Sequence, residues 1–306
     1  MYYPYLRGKQ YELLAVRELL ERNLITDKVI PIIEPIRETA TLKKTLCKYF
    51  ENGKEIYTII NPQVGDYDLY TENHPIINEL IVVYYDAILM SDSQSVLNSL
   101  ESLKQSQKFV SFYFTRDDIK NFDLLESNSL DAAINFVKDG NRYSRFFKQK
   151  GQKIGLIRDA FEKQSRNADY ASTTDEFFSD DHLFFDIEGY SAFSDFSIIG
   201  ESYIDGGFAP VAVAIHIVYF DSDQTLRIKH FVSDSNDDIS DPAGKFQEAL
   251  YKLVNWAEEI EEINESYAIG EFRKLLREKR YPGLGFVKKL SIMHHLEIMN
   301  KYLSRR

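Results

Sequence analysis

Val29-Ile30-Pro31-Ile32-Ile33-Glu34-Pro35-Ile36 is a short, nearly continuous apolar run that a carboxylate interrupts. Runs of about four to eight such residues read as strands buried on both faces of a parallel sheet. Both prolines fit at strand ends, or on the side that donates no ladder hydrogen bond. Before the run, residues 8–23 read as an amphipathic helix. Leu13, Leu14, Val16, Leu19 and Leu20 share one side, and Glu12, Arg17, Glu18, Glu21 and Arg22 occupy the rest. A second helix is expected over 40–52, so the run ending at Glu34 reads as the first strand of an alternating series.

The alternation continues along the chain. Strands are expected at 55–61, 84–90, 109–115, 132–138, 153–158 and 183–187, with helices at 72–82, 92–106, 116–127 and 141–150. Strand–helix repetition of this kind points to a parallel sheet with crossover helices, and the number of units favours a barrel over an open sheet. No Gly-rich phosphate fingerprint follows the first strand, which weighs against a dinucleotide-binding sheet. After residue 188 the pattern changes. Gly189 to Gly207 is rich in Ser, Asp, Gly and Phe, with a short strand expected at 196–199. Two strong strand signals, 209–220 and 226–233, then flank the polar connector Asp221-Ser222-Asp223-Gln224-Thr225, as in an antiparallel hairpin. Asp241-Pro242 opens a helix to about 264. Further helices follow over 267–280 and 285–302, parted by Tyr281-Pro282-Gly283. The expected fold is therefore a distorted (β/α) TIM-barrel-like α/β domain with an inserted hairpin, irregular closure at that hairpin, and C-terminal helices. Residues 1–306 are read as one domain, with 241–306 as a helical annex.

Composition narrows the function classes. The 306 residues are 44% hydrophobic, enough for a full core, and 20 Tyr and 21 Phe against one Trp suit a sheet-rich interior. The net charge of −11 argues against a broad phosphate-tracking surface, since such binding depends on clustered Lys and Arg. Lys138, Asn141, Arg142, Arg145, Lys148, Lys150, Lys153 and Arg158, interleaved with Tyr143, Phe146 and Phe147, form a local basic strip. The strip reads as an anion patch or, more plainly, as a basic crossover helix. The single cysteine, Cys47, excludes an internal disulfide and reads as a buried thiol beside Leu42 and Leu46. No apolar run approaches the ~20 residues that span a bilayer. The opening Met1-Tyr2-Tyr3-Pro4-Tyr5 has no signal-peptide character, so the cytoplasm is the expected location.

In a (β/α) barrel, functional side chains gather where strands end. The carboxyl ends of the expected strands supply Glu34, Asn61, Arg158, Asp159, Asp186 and Glu188. Glu34, ending an apolar run, is a candidate for proton transfer, although carboxylates commonly close strands and cap the next helix. Strand alternation would put Asp186 and Glu188 on one face, where a carboxylate pair could hold a divalent metal or share acid/base duties. Plain solvent exposure is the simpler account. His216 shares a strand face with Ala212, Ala214 and Val218. A turn at Ser222–Gln224 would set His230 opposite it, close enough for the two rings to share a metal or a phosphate. A one-residue slip would undo that pairing. His294-His295 on the last helix reads as surface. No nucleophile elbow, P-loop or H-E-x-x-H occurs.

Met1-Tyr2-Tyr3-Pro4-Tyr5-Leu6-Arg7-Gly8-Lys9-Gln10, Val29–Pro35 and Ile59-Ile60-Asn61-Pro62-Gln63-Val64-Gly65 resemble motifs of a family of uncharacterised bacterial proteins related to the phage "beta protein" family. Ser194–Glu201 and Ala212–His216 extend the resemblance over roughly the first 235 residues. It implies a barrel-type α/β fold and a gene often encoded beside a small nuclease-like protein in mobile or defence-type clusters. Arg7, Glu34, Asn61, Gly65, Asp195 and His216 fall in these motifs without assigned roles.

Two functions are therefore expected. The favoured one is a non-catalytic or regulatory partner of the neighbouring nuclease-like protein, whose acidic surface mimics nucleic acid. The alternative is a barrel hydrolase of a phosphodiester or nucleotide-like ligand. In that reading Glu34, Asp186 and His216 are the acid/base or metal groups, and Asn61, Arg158, Asp195 and His230 bind the ligand. Whether the chain is an enzyme, needs a divalent metal or self-associates stays open at this level.

Overall fold

The computed structural model describes residues 1–66, 85–90, 109–113, 132–140, 142–206 and 210–306. The helices expected at 72–82, 92–106 and 116–127 lie outside them. The chain divides into two interleaved compact units. Unit one comprises Met1–Leu13, Val29–Asp159 and Asp181–Phe196, and unit two Leu14–Lys28, Ala160–Asp180 and Ser197–Arg306.

Unit one contains an eight-stranded, all-parallel sheet. Its strands are β1 (Tyr5–Leu6), β2 (Ile32–Ile33), β3 (Tyr57–Ile59), β4 (Tyr85–Leu89), β5 (Phe109–Tyr113), β6 (Ile134–Val137), β7 (Ile154–Arg158) and β9 (Ala192–Asp195). The ends meet through a parallel bridge between Tyr2 and Phe193, with Tyr3 N donating to Phe193 O at 2.9 Å and Phe193 N to Met1 O at 3.1 Å. The strand at Glu34 is thus the second, because Tyr5-Leu6 precedes it. The interior is a packed aromatic core and not a pore. Tyr5 meets Phe112 across the barrel at 5.3 Å, and Phe112 stacks on Phe136 at 4.8 Å. Gly155 makes room for Phe136, since a Cβ there would lie 2.5 Å from its ring.

The longer helices described in unit one follow β2 and β6. Thr39 caps α2 (Ala40–Glu51; α1 spans Gln10–Glu21) by accepting from Leu42 N at 3.1 Å. In that helix Cys47 is half-buried rather than buried. Helix α3 (Arg142–Gln149) carries the basic strip outward and packs Tyr143 and Phe147 against Tyr113 of β5 at 4.6 and 5.0 Å. Two of the strip's interleaved aromatics, Tyr143 and Phe147, are therefore core, while Phe146 is half-buried beneath Lys150.

Two expected strands prove helical. Residues 183–187 do not form a strand: α4 (Asp181–Phe184) and a turn occupy the region, and the last barrel strand comes later, at Ala192–Asp195. Short apolar runs do not separate a buried strand from a buried helical turn. The strand expected at 196–199 is a 3-10 turn over Ser197–Ile199. The hairpin takes no part in barrel closure either.

That hairpin belongs to unit two. Strands β10 (Ala214–Phe220) and β11 (Leu226–Val232) pair antiparallel, and β8 (Asp175–Ser179) adds to β11, giving the order β10-β11-β8. Helices α5 (Pro242–Trp256) and α7 (Leu284–Arg305) contact this sheet, and α6 (Tyr267–Arg277) contacts both. Trp256 packs on Tyr219 and Phe231, whereas Phe178 packs on His295, so the alternating residues of the sheet send the two sets to opposite faces. Asp241 caps α5 by accepting from Gly244 N at 2.8 Å, and Pro242 stands at its first turn. Among the described residues, no helix is long and apolar enough to cross a membrane.

Gly65 shows how tightly the loop after β3 is specified. Its φ is +66°, and a Cβ would lie 2.2 Å from the carbonyl oxygen of Ile36, the acceptor for Asp66 N. Gly65→Ala is expected to destabilise unit one by about 3 kcal/mol, combining left-handed strain with a backbone clash. Differential scanning calorimetry of the variant checks this.

Candidate functional site

The carboxyl ends of the first strands in unit one converge on Glu34. This side chain is fully buried, with 0% exposure. Tyr5 OH donates to Oε2 at 2.7 Å, Arg7 Nη1 bonds the same oxygen, and Gln63 N donates to Oε1 at 2.9 Å. The Arg7 guanidinium lies 5.2 Å from the Tyr5 ring and 5.5 Å from the Phe196 ring, while Arg7 N donates to buried Glu12 at 2.8 Å. Gly8 has φ +64°, and a Cβ there would lie 3.0 Å from the Glu34 carbonyl oxygen. Nearby in the strand order, Tyr2 OH donates to Asp195 Oδ1 at 2.7 Å. Burial, then the Asp195 charge and hydrogen bond, push the Tyr2 phenol well above its ordinary range, so it stays a donor.

The other strand-end candidates have structural partners. The Asn61 side chain donates to Leu89 O at 2.8 Å and accepts from Leu89 N at 2.9 Å, extending the β3–β4 ladder by one rung. Arg158 is 43% exposed at its side chain and pairs with Asp181 at 3.2 Å. Asp186 is not a strand-end carboxylate. It sits exposed in the turn after α4, bonds the adjacent Ile187 N at 2.9 Å, and shares that turn with Ile187 (79% exposed) and Glu188. The face expected to carry Asp186 and Glu188 together does not exist, because the segment is not extended.

Unit two holds the second cluster. His216 and His230 are cross-strand partners, and their Nδ1 atoms stand 2.7 Å apart. Two imidazole nitrogens on one tetrahedral zinc would be about 3.3 Å apart, given Zn–N distances of about 2.0–2.1 Å. These two are therefore hydrogen-bonded to each other. His230 Nε2 is 3.0 Å from Glu176 Oε1. Phe161 and Tyr170 wall the pair, with ring centroids 5.2 and 4.6 Å from His216. Burial, followed by the positive potential of His230 and Lys288, pushes His216 down to about 3. Burial also lowers His230, with Glu176 pulling the other way. On the opposite face, Asp175 accepts from Lys229, Tyr219 and Arg227 at 2.7–2.8 Å; these bonds overcome its burial and hold it below its usual range.

His294 and His295 are not surface residues. Both are fully buried, and burial lowers each to about 3. His294 lies 2.8 Å from both Ser266 Oγ and Val218 O, and His295 Nδ1 is 2.9 Å from Ser197 Oγ. Among the described residues, no group of three or more His, Cys, Asp or Glu is placed to hold a metal ion.

No family model, curated protein or solved structure matches this chain. The chemistry must be argued from these two clusters. Sequence reasoning missed Tyr5, Gln63 and Tyr2 as partners of the barrel carboxylates, and it missed Glu176 altogether. The only sequence signal for Glu176 was an acidic pair at the head of the apolar Phe177-Phe178.

Proposed function

We propose that the protein is a regulatory partner of a companion nuclease-like protein, its barrel unit taking no catalytic part. The observation that supports this reading best is the saturation of Glu34. Both of its oxygens are engaged by donors from its own unit, Tyr5, Arg7 and Gln63, so the carboxylate serves to organise the barrel mouth. Asp186, the second acid of a hydrolase centre, lies exposed in a turn. The net charge of −11 suits contact with a basic, nucleic-acid-binding surface.

Co-expression with the product of the adjacent gene tests this directly. The expected result is co-elution on size exclusion, with affinity falling at least tenfold as salt rises from about 0.05 to 0.3 M. The proposal is overturned if the two proteins elute separately at low salt. It is equally overturned if the purified chain hydrolyses bis(p-nitrophenyl) phosphate and a folded Asp186→Asn or Glu34→Gln variant loses that activity.

A further inference from the structure

The Glu176–His230–His216 line in unit two has a proton arrangement that its distances dictate. Glu176 is a carboxylate and can only accept, so His230 Nε2 carries the proton of the 3.0 Å contact. His230 Nδ1 is then a lone pair, and the 2.7 Å contact requires the proton on His216 Nδ1. His216 is thereby locked in the Nδ1–H tautomer. Its Nε2 lone pair has no donor among the described residues, on a half-buried ring. We propose that these three residues form a proton relay, with His216 Nε2 as a general base for a hydroxyl-bearing small molecule or water. This goes beyond the partner reading, which rests on unit one, and it stands or falls separately.

The relay explains how a base can work where an imidazolium is disfavoured. When Nε2 of His216 takes a proton from an O–H, the His216 Nδ1 proton passes to His230 Nδ1. The His230 Nε2 proton then passes to Glu176 Oε1. One N–H bond forms and one breaks on each ring, and both rings end neutral. The positive charge never rests on either ring, and the carboxylate, 21% exposed at its side chain, ends protonated. Phe161 (6% exposed) and Tyr170 (2%) supply flat apolar walls, and the segment carrying them is tied down by Asn167 Nδ2 donating to Ala212 O at 3.0 Å. The groups whose charge acts on the two rings are Glu176 and Asp175 of β8 and Lys288 of α7.

Two measurements test the relay. In protein labelled with 15N-histidine, His216 is expected as the Nδ1–H tautomer and His230 as Nε2–H; the reverse assignment overturns the proposal. The chemical probe is diethyl pyrocarbonate, which acylates an imidazole lone pair. Acylation forms the Nε2–C bond of His216 and expels ethyl carbonate, and the relay removes the resulting positive charge by passing the Nδ1 proton toward Glu176. Glu176→Gln keeps an acceptor for His230 but cannot take the proton. It is expected to slow His216 acylation at least tenfold, read by peptide mass spectrometry, with the tautomers unchanged. A rate within twofold of the unaltered protein overturns the relay. Should Glu176→Gln fail to fold, the tautomers of the unaltered protein decide alone. Neither readout involves the companion protein, so failure here leaves the partner proposal standing, and the reverse also holds.

Discussion

Lowering the pH from about 7 to about 5 is expected to cost unit two about 4 kcal/mol of stability through His294 and His295 alone. Each is fully buried, with its folded value lowered to about 3. A histidine in the unfolded chain titrates near 6.5, so below that pH the unfolded state binds a proton that the folded state refuses. The stabilisation is therefore complete above about pH 6.5 and is lost as pH falls toward about 3, at about 1.4 kcal/mol per unit for each ring. His216 and His230, also lowered by burial, act in the same direction. Domains are typically stable by only about 5–15 kcal/mol, so this is a large share. Trp256, the single tryptophan, packs on Tyr219 and Phe231 within unit two and makes its fluorescence the reporter. The urea midpoint should fall by about 2 M between the two pH values. His295→Asn lowers stability at neutral pH by removing packing, but it should flatten the pH slope by the contribution of one ring. An unchanged slope would show that His295 does not titrate across the transition.

These histidines also mark where the sequence stops being legible. On α7 the stretch from Lys289 to Asn300 is buried at every position, so no amphipathic stripe tells inside from outside. A His-His pair in such a helix looks like surface until the packing of unit two is known. Elsewhere the legible features are those set by local chemistry: the caps at Thr39 and Asp241, the apolar runs of β3 to β7, and the polar connector that brings His216 opposite His230. Features set by distant pairing were not legible. Strand β1 has two residues and is extended because β2 pairs with it, and Ala192–Asp195 lacks the β-branched residues that announce a strand. Glu176 meets His230 only through the β8–β11 register, across 54 positions of sequence. The apolar Leu183-Phe184-Phe185 reads as a buried strand, but Leu183 and Phe184 close a short helix in which Phe184 is 44% exposed, and that misplaced Asp186.

The two clusters share a chemical logic but differ in what they leave available. In unit one the carboxylate accepts from a cation and two neutral donors. In unit two the carboxylate sits at the far end of two neutral rings, and the near end is an unengaged nitrogen. Charge neutralised locally stabilises a fold, whereas charge that a proton can reach only through intermediates can do work. That contrast is why the proposed proton chemistry belongs to the hairpin unit and not to the barrel mouth.

Arg7 and Glu34 are expected to act as one paired unit at the barrel mouth. Arg7→Met leaves a fully buried carboxylate with only Tyr5 OH and Gln63 N as donors, and Glu34→Leu leaves a guanidinium whose side chain is 10% exposed. Each single change is expected to destabilise unit one by about 3–5 kcal/mol, the usual cost of an uncompensated buried charge. The double variant Arg7→Met/Glu34→Leu removes both charges together but strands the Tyr5 hydroxyl and the Gln63 N–H, so it should cost about 2–4 kcal/mol, well short of the sum of the single effects. Hydrogen exchange of peptides from β1 to β3, followed through urea, separates unit one from the Trp256 signal of unit two. Additive single effects would show that the two side chains do not act as a pair. If the pair serves only to hold the mouth together, the double variant should also bind the companion protein as tightly as the unaltered chain. A folded double variant that has lost binding would move Arg7 and Glu34 from scaffold to recognition surface.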